Sequence, residues 1–414
     1  MNNKKTIVVG YSAAALGSLQ QLRPEGSVIL IDEPDVIRKR HIDVEVKKYS
    51  VVDRLIPFEY QRKGAADIFF GEHRPENIVS VVPIQEYATP FAARLAERLN
   101  RPGASYGASL IMRDKHRLRA VSKAFGIHNP ASKIVESFEE ARAFMVAHGG
   151  SVIIKPANRQ GSVGAVIVRN AADIEDAWGK SQTRDEGVMV PDRGFEQITL
   201  VEQFVEGREF SVEALVVDGC MIFSNVTQKE LFEGAHPVES GHTVPATIDS
   251  DLTEQLVSNT GKVIEATGFR TGIVHCEWMH DGTDAYLIEC AGRFAGDGII
   301  DLIERAYRFD IVKAYHAIMR GEQLSNLPVQ AKKTAKVRFV GGKTGTVSEV
   351  RVDEAMLRKS GITHFSVTVR AGDKTVEPSM SWQRLGSVTV EADTPDSAEQ
   401  LISDAIAAIN ISYA

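Results

Sequence analysis

The chain has 414 residues, 43% hydrophobic and 25% charged, with a formal net charge of −7. These values exclude collagen-like and disordered chains and leave room for two or three folded domains. With no basic block, a nucleic-acid surface is not expected. No apolar run reaches the roughly 18 residues a membrane helix needs.

Cys220, Cys276 and Cys290 are odd in number and lack CxxC spacing, so neither a disulfide framework nor a zinc site is expected, and a reducing cytoplasm is the expected compartment. The basic, apolar N-terminus reads as a strand, Ile7 to Val9, turning at Gly10 into a helix. Tyr11 and Ser12 interrupt the apolar core that a signal peptide requires.

Residues 1–105 carry TIVVG, AAALGSLQQL, SVILID, ADIFF, NIVSVVP and the helical ATPFAARLAERLN, an alternation that predicts a parallel sheet of βαβ units. Gly10 and Gly17 frame no GxGxxG. A helical stretch is predicted over about 106–130, ending at Gly126 and Pro130. Residues 131–217 read strand, helix, strand, Gly-rich loop, strand, helix, strand, with hairpin-like alternation in VEQFVEGREFSVEALVVDG. Residues 220–325 hold the pair HCEWMH and AYLIEC and two closing helices, GIIDLIERAYRF and DIVKAYHAIMRG. After the linker LSNLPVQ, residues 331–414 are mostly β with a final amphipathic helix.

Three segments carry chemistry. In HCEWMHDGTDAYLIEC, a hairpin turning about Thr283 sets Glu277 directly opposite Glu289; a tight turn on Asp281-Gly282 would set Glu277 against Tyr286 instead. Paired like charges repel unless a cation joins them, and a hard divalent ion such as Mg²⁺ prefers carboxylates plus phosphate oxygens. In SVIIKPANRQGSVGAVIV, Lys155 precedes a loop with Gly161, Ser162 and Gly164, where backbone amides and an ammonium suit a polyphosphate; an ordinary hairpin is the alternative. Glu202 and Glu209, in VEQFVEGREF, could serve an adenine slot and a ribose diol, or be solvated strand residues. Gly341-Gly342-Lys343-Thr344 imitates a P-loop but lacks its first glycine and its helix.

In this order the elements resemble the ATP-grasp superfamily over nearly the whole chain. The resemblance implies an α/β fold, α+β in part. Its units would be a Rossmann-like N-terminal domain (1–105), a lid region (106–217), a catalytic subdomain (218–327) and a β-rich C-terminal cap (328–414). It further implies ATP and Mg²⁺ (or Mn²⁺) as cofactors. Lys115 and Lys155 would lie on the phosphates, Glu202-Gln203-Phe204-Val205 would form the adenine hinge, Glu209 would hold the ribose, and Glu277 and Glu289 the metal. Where the family usually has a metal-binding asparagine, this chain has Ala291.

PVESGHTVPA, with Arg293 downstream, is similar to the L-amino-acid ligases and peptide-antibiotic amide synthetases, as is the segment Trp382-Gln383-Arg384-Leu385-Gly386 with its closing helix. That resemblance implies Glu239 and His242 in the pocket of the amino-terminal substrate and Arg293 beside its carboxylate. Asp297 is read as a polar pocket residue or a helix-entry residue.

The implied reaction is an ATP-dependent carboxylate–amine ligation of two amino acids through an acyl phosphate, releasing ADP and phosphate, in peptide antibiotic biosynthesis. The alternatives are a carboxylase or purine-pathway ligase, or a non-catalytic ATP-binding protein. The expected partners are small-molecule amino-acid substrates, without nucleic acid or membrane, and a homodimer is allowed for.

Overall fold

The computed structural model describes residues 4–183, 190–194 and 196–414, and every candidate site residue lies within them. The N-terminal strands β1 (Lys5–Val9), β2 (Val28–Asp32), β3 (Val52–Pro57) and β4 (Ile78–Pro83) form a parallel sheet in the order β3-β2-β1-β4. Every residue of β1 and β2 is buried, as expected of parallel strands covered on both faces. Ile7 and Val9 enter one core and Val8 the other, the period-two alternation of a strand. The following helix, Ala13–Leu22, starts where Ser12 Oγ accepts the Ala15 amide. Strand β3, VDRLIP, is polar enough to escape the sequence reading: Asp53 and Arg54 face solvent at the sheet edge.

Predicted as one helical stretch, residues 106–130 contain two helices, Tyr106–Met112 and Lys115–Ala124. Asp114 breaks them: its side chain accepts the amides of His116 and Arg117 and so caps the second helix. Lys115 is thereby fixed at a helix start.

A second sheet has the order β5-β8-β6-β7, from β5 (Ser132–Ile134), β6 (Val152–Pro156), β7 (Val166–Val168) and β8 (Thr199–Gln203), all antiparallel. The hairpin-like alternation near VEQFVEGREFSVEALVVDG resolves into a hairpin of Arg208–Val217 with the strand that follows it, Cys220–Leu231, and not with the strand before it. Strand β8 stays in this sheet, and the next strand, β9 (Arg208–Val217), belongs to the central sheet, so residues 204–207 join two bodies.

That central sheet has eight strands in the order β13-β12-β9-β10-β11-β14-β18-β16. Its members are β9, β10 (Cys220–Leu231), β11 (Glu239–Val244), β12 (Gly272–His280), β13 (Ala285–Ala291), β14 (Thr334–Val340), β16 (Ile362–Val367) and β18 (Gly386–Ala392). Strands β15 (Gly345–Val352), β17 (Lys374–Thr375) and β19 (Ile409–Tyr413) make a small fourth sheet. Because β14 pairs with β11, the C-terminal strands extend the sheet that carries the acidic hairpin.

One face of the central sheet is apolar. Helix Ser250–Thr267, absent from the sequence reading, packs there through Leu256, Val263 and Ile264 against Trp278 and Phe210. Its signals are Asp249, which caps it, and Gly268 in the left-handed region beyond its end. The Trp278 indole is fully buried and donates to Thr260 Oγ1 at 3.0 Å; truncating so large a buried ring costs roughly 3–5 kcal/mol. The opposite face is divided: Leu215 and Ile273 pack with helices Ile299–Tyr307 and Ile311–Met319, while Ser211, Glu213, His275 and Glu277 make a polar stretch that carries the site. Among the described residues, no helix is long and apolar enough to cross a membrane.

Candidate active site

The two glutamates meet by way of a bulge. The ladder of β12 and β13 begins at His280↔Ala285 and runs through Met279↔Tyr286 to Trp278↔Leu287, which continued unbroken would set Glu277 against Ile288. A register shift between Glu277 and Trp278 instead pairs Glu277 with Glu289, so both carboxylates point to the polar face. The expected pairing thus forms, with a loop over Asp281–Asp284 and the bulge together supplying what one longer turn was expected to do.

Neither carboxylate stands alone. Lys115 Nζ lies 2.9 Å from Glu289 Oε2, and Lys229 Nζ lies 2.8 Å from Glu277 Oε1. Lys229 also reaches Glu209 at 2.5 Å and Glu239 at 3.4 Å. His275 bridges Glu213, at 2.8 Å, and Glu277, at 3.2 Å. Burial opposes the charge on Glu277, but Lys229 and His275 hold its carboxyl well below the usual range. Burial works against a charged His275 too, yet its two carboxylate partners push its pKa up to about 9. Burial, with Glu277 and Glu239 nearby, raises Glu209 despite Lys229.

Sequence reading missed Lys229, His275 and Glu213. The available signal was strand alternation, which sends Glu209, Ser211 and Glu213 of β9 to the face that carries Glu277 and His275 of β12.

On the second sheet, Lys155 Nζ lies 2.6 Å from Glu202 Oε2. Arg119 clamps both oxygens of the same carboxylate at 2.9 and 3.1 Å. Burial opposes ionisation of Glu202, but the two cations hold its pKa at about 2. Burial, with Arg119 and Lys115 nearby, lowers Lys155. Glu202 is therefore committed to positioning Lys155, and of the two glutamates read for an adenine slot and a ribose diol only Glu209 reaches the carboxylate cluster. Gln203, Phe204 and Val205 follow on the cleft wall.

The glycine loop splits in two. Gly161 (φ +65°) meets the Trp382 ring, where a Cβ would lie 2.9 Å from Cζ3, and Ser162 Oγ donates to the Pro237 carbonyl at 2.9 Å. Both line the cleft. Gly164 (φ +71°) stands behind it, with a hypothetical Cβ 2.8 Å from the Ser181 carbonyl.

Arg293 is anchored from the N-terminal sheet side: it donates to Glu86 Oε2 at 3.0 Å and to the Phe294 carbonyl at 2.8 Å. Arg113 takes the other Glu86 oxygen. Burial disfavours the Glu86 carboxylate, but these arginines keep its pKa at about 2. Glu86 and Arg113 were also missed; they come from distant segments that no local spacing links.

His242 is 1% exposed, and neither ring nitrogen has a hydrogen bond; Nε2 is 3.6 Å from Asp297 Oδ2. Asp297 is held by Arg384, which stacks over Phe339 with its guanidinium 3.7 Å from the ring centroid. Ser381 Oγ donates to Glu239 at 3.3 Å, so the C-terminal segment closes this end.

All candidates except Gly164 line one cleft of about 880 Å³. Its chemistry is divided: paired carboxylates and lysines at the centre, the hinge on one side, Arg293 and the unsatisfied His242 on the other. Among the described residues, no group of three or more His, Cys, Asp or Glu side chains is arranged to hold a metal ion. Ala291, 2% exposed, brings no oxygen to the pair. Two hard carboxylates facing two ammonium groups fit a divalent cation whose remaining ligands come from phosphate and water.

Two stretches of the chain match known domains. Residues 149–301 match the ATP-grasp domain, and residues 338–414 match the L-amino acid ligase C-terminal domain 2. Alanine–anticapsin ligase of Bacillus subtilis is 23% identical over 336 residues, 78% of this chain and 67% of that protein. D-alanine–D-alanine ligase of Marinobacter nauticus is 31% identical over 113 residues, 27% of this chain and 31% of that protein. Among solved structures, the L-amino acid ligase of Bacillus licheniformis superposes with a TM-score of 0.80 at 19% identity, covering 100% of both chains. Phosphoribosylglycinamide synthetase of Anaerococcus prevotii gives 0.69 at 17% identity, over 99% of this chain and 100% of that one. Residues 149–301 thus carry an ATP-grasp domain and residues 338–414 a C-terminal domain 2 of the L-amino acid ligase type, within a fold shared with the L-amino acid ligase of Bacillus licheniformis.

Proposed function

We propose that the protein joins the carboxylate of one amino acid, or of an amino-acid-like acid, to the amine of a second, through an acyl phosphate and with release of ADP and phosphate. The observation that carries this reading is the meeting, in one cleft, of the Glu277/Glu289 pair and its lysines with a buried His242 whose ring nitrogens are unsatisfied.

A carboxylate is a poor electrophile. Transfer of a phosphoryl group to one of its oxygens makes the carbon attackable, and that transfer depends mainly on positioning and charge neutralisation. Lys115 and Lys155 are held for this purpose by Glu289 and Glu202, and Arg293 by Glu86. Glu277 and Glu289 would hold Mg²⁺, which when bound supplies positive charge to the phosphate oxygens. Gln203, Phe204 and Val205 offer an adenine hinge next to Glu209, the ribose carboxylate. Glu239 and His242 line the pocket of the activated amino acid, with His242 placed to offer the substrate a hydrogen bond. The similarity to alanine–anticapsin ligase supports amino-acid substrates and a place in peptide antibiotic synthesis.

Incubation of the pure protein with ATP, Mg²⁺ and pooled amino acids tests this reading. Phosphate should appear only when a suitable pair is present, with a dipeptide of matching mass. Release of AMP and pyrophosphate would refute the mechanism, and bicarbonate-dependent phosphate release without amino acids would make the protein a carboxylase.

A further inference from the structure

The cleft continues past Arg293 into a crevice that the roles above leave unused. The N-terminal sheet order β3-β2-β1-β4 reverses direction between β1 and β4, and in open α/β sheets ligands settle outside the carboxyl ends of the strands at such a switch point. Ser12 follows β1 there and Gln85 follows β4, and both line the cleft.

Gln85 is 8% exposed, and its amide oxygen and nitrogen both lack a hydrogen-bond partner. A buried amide left so costs free energy unless a ligand completes it. Beside it opens the first turn of helix Ala13–Leu22, whose backbone amides and dipole favour an anion.

Across the crevice stand helices Ile299–Tyr307 and Ile311–Met319. Glu304 lines this wall, with Ile300 and Val312 as apolar neighbours. Among the described residues, no cation lies within ion-pair distance of Glu304; its carboxyl accepts the Val312 amide, at 3.4 Å, and otherwise meets the carboxyl of Asp310. The charges around it make matters worse. Asp301 is committed to Arg305 at 2.6 Å, and Asp310 caps its own helix by accepting the Lys313 amide at 2.7 Å. His316, on the same wall, gives no help: burial, with Arg320 and Arg23 nearby, pushes its pKa down to about 3 and leaves it neutral. Burial and the two aspartates push Glu304 up to about 7, the signature of a carboxyl that lacks a counter-ion.

We infer that this crevice holds the amine-donating amino acid, with its carboxylate at Gln85 and the helix start, and that Glu304 selects one with a cationic side chain. The inference rests on the ligase reading proposed above. The strip formed by Ile300 and Val312 accommodates the methylene stem of such a side chain, while its ammonium or guanidinium supplies the charge Glu304 lacks. A neutral side chain of the same length leaves the carboxyl uncompensated.

The test uses the full-length protein with ATP, Mg²⁺ and one activated amino acid held constant, and compares lysine and ornithine with norleucine and glutamate as second substrate. Lysine or ornithine should exceed norleucine in kcat/KM by roughly ten-fold or more, and Glu304→Gln should bring that ratio to about one. Gln85→Leu should raise the KM for the second amino acid while leaving its charge preference in place, which a merely misfolded variant would not do. Phosphate release equal for charged and neutral second substrates overturns the inference and leaves the ligase reading standing. No release with any amino-acid pair overturns both.

Discussion

Lys229 Nζ lies 2.8 Å from Glu277 Oε1, in the middle of the polar face where Glu209 and Glu239 also converge. With a side chain only 2% exposed, this lysine offsets the mutual repulsion of the carboxylates, which in turn raise its pKa well above the ordinary value against the effect of burial. Lys229→Met should cost on the order of 3–5 kcal/mol, because it leaves buried charges unpaired. Millimolar Mg²⁺ with nucleotide should restore more stability to the variant than to the wild type, as read by thermal melting. Equal shifts in the two proteins would show that the metal does not engage this cluster.

In the proposed reaction Glu289 faces the opposite demand, since its partner Lys115 would be released or shared when phosphate binds. Glu289→Ala should lower turnover by at least roughly a hundred-fold while changing nucleotide affinity far less, the pattern of a group that acts mainly in the transition state. Phosphate-release kinetics beside a nucleotide titration measure both. A parallel loss of both would place Glu289 in nucleotide binding alone.

The acid limb of stability should carry the mark of Glu202. Its folded pKa of about 2 lies below the ordinary 4.5, so its contribution is fully present above about pH 4.5 and is lost as pH falls towards 2. At about 1.4 kcal/mol per unit, this amounts to roughly 3 kcal/mol. Glu202→Gln should lower the melting temperature at pH 7 and flatten its decline between pH 4.5 and 2. An unchanged slope would assign the acid sensitivity to other carboxylates such as Glu86.

How much of this was legible in the sequence depended on the range of each interaction. Glu277 and Glu289 share one hairpin, so strand spacing alone brought them close, although the bulge that aligns them has no sequence mark. Lys155 and its glycine loop are likewise local. Glu86 and Arg293 meet across 207 positions and Arg119 and Glu202 across 83, and such pairs arise only when sheets pack. The break at Asp114 was readable as a helix cap, and helix Ser250–Thr267 could have been found from Asp249 and Gly268. The sheet shared by β11 and β14 was not, since the linker between the two halves looks like a domain boundary in composition.

His242 should separate substrate binding from nucleotide chemistry. Its ring is buried with both nitrogens unsatisfied, beside Asp297, whose own partner is Arg384. His242→Ala should raise the KM for the activated amino acid while leaving the nucleotide dissociation constant within about two-fold. Unaltered kinetics for every accepted amino acid would remove His242 from the pocket.

The two loop glycines should respond differently to the same substitution. At Gly164 (φ +71°), an added methyl group would meet the Ser181 carbonyl at 2.8 Å and Pro156 at 3.1 Å, so Gly164→Ala strains the backbone and the packing together. A left-handed backbone alone costs an L-residue roughly 1–2 kcal/mol, and the clash adds to it. The melting temperature should fall, with nucleotide affinity following only as far as folding does. At Gly161 (φ +65°), the obstacle is the Trp382 ring, 2.9 Å from the new carbon and itself half exposed, so the ring can swing away. Gly161→Ala should therefore cost less stability, yet disturb the contact that closes the glycine loop onto the C-terminal segment and so raise the KM for ATP. The double variant Gly161→Ala/Trp382→Ala checks the cause: if the ring contact is responsible, Gly161→Ala has a smaller effect on KM in the Trp382→Ala background than in the wild type. An undiminished effect would trace it to the backbone of the loop itself.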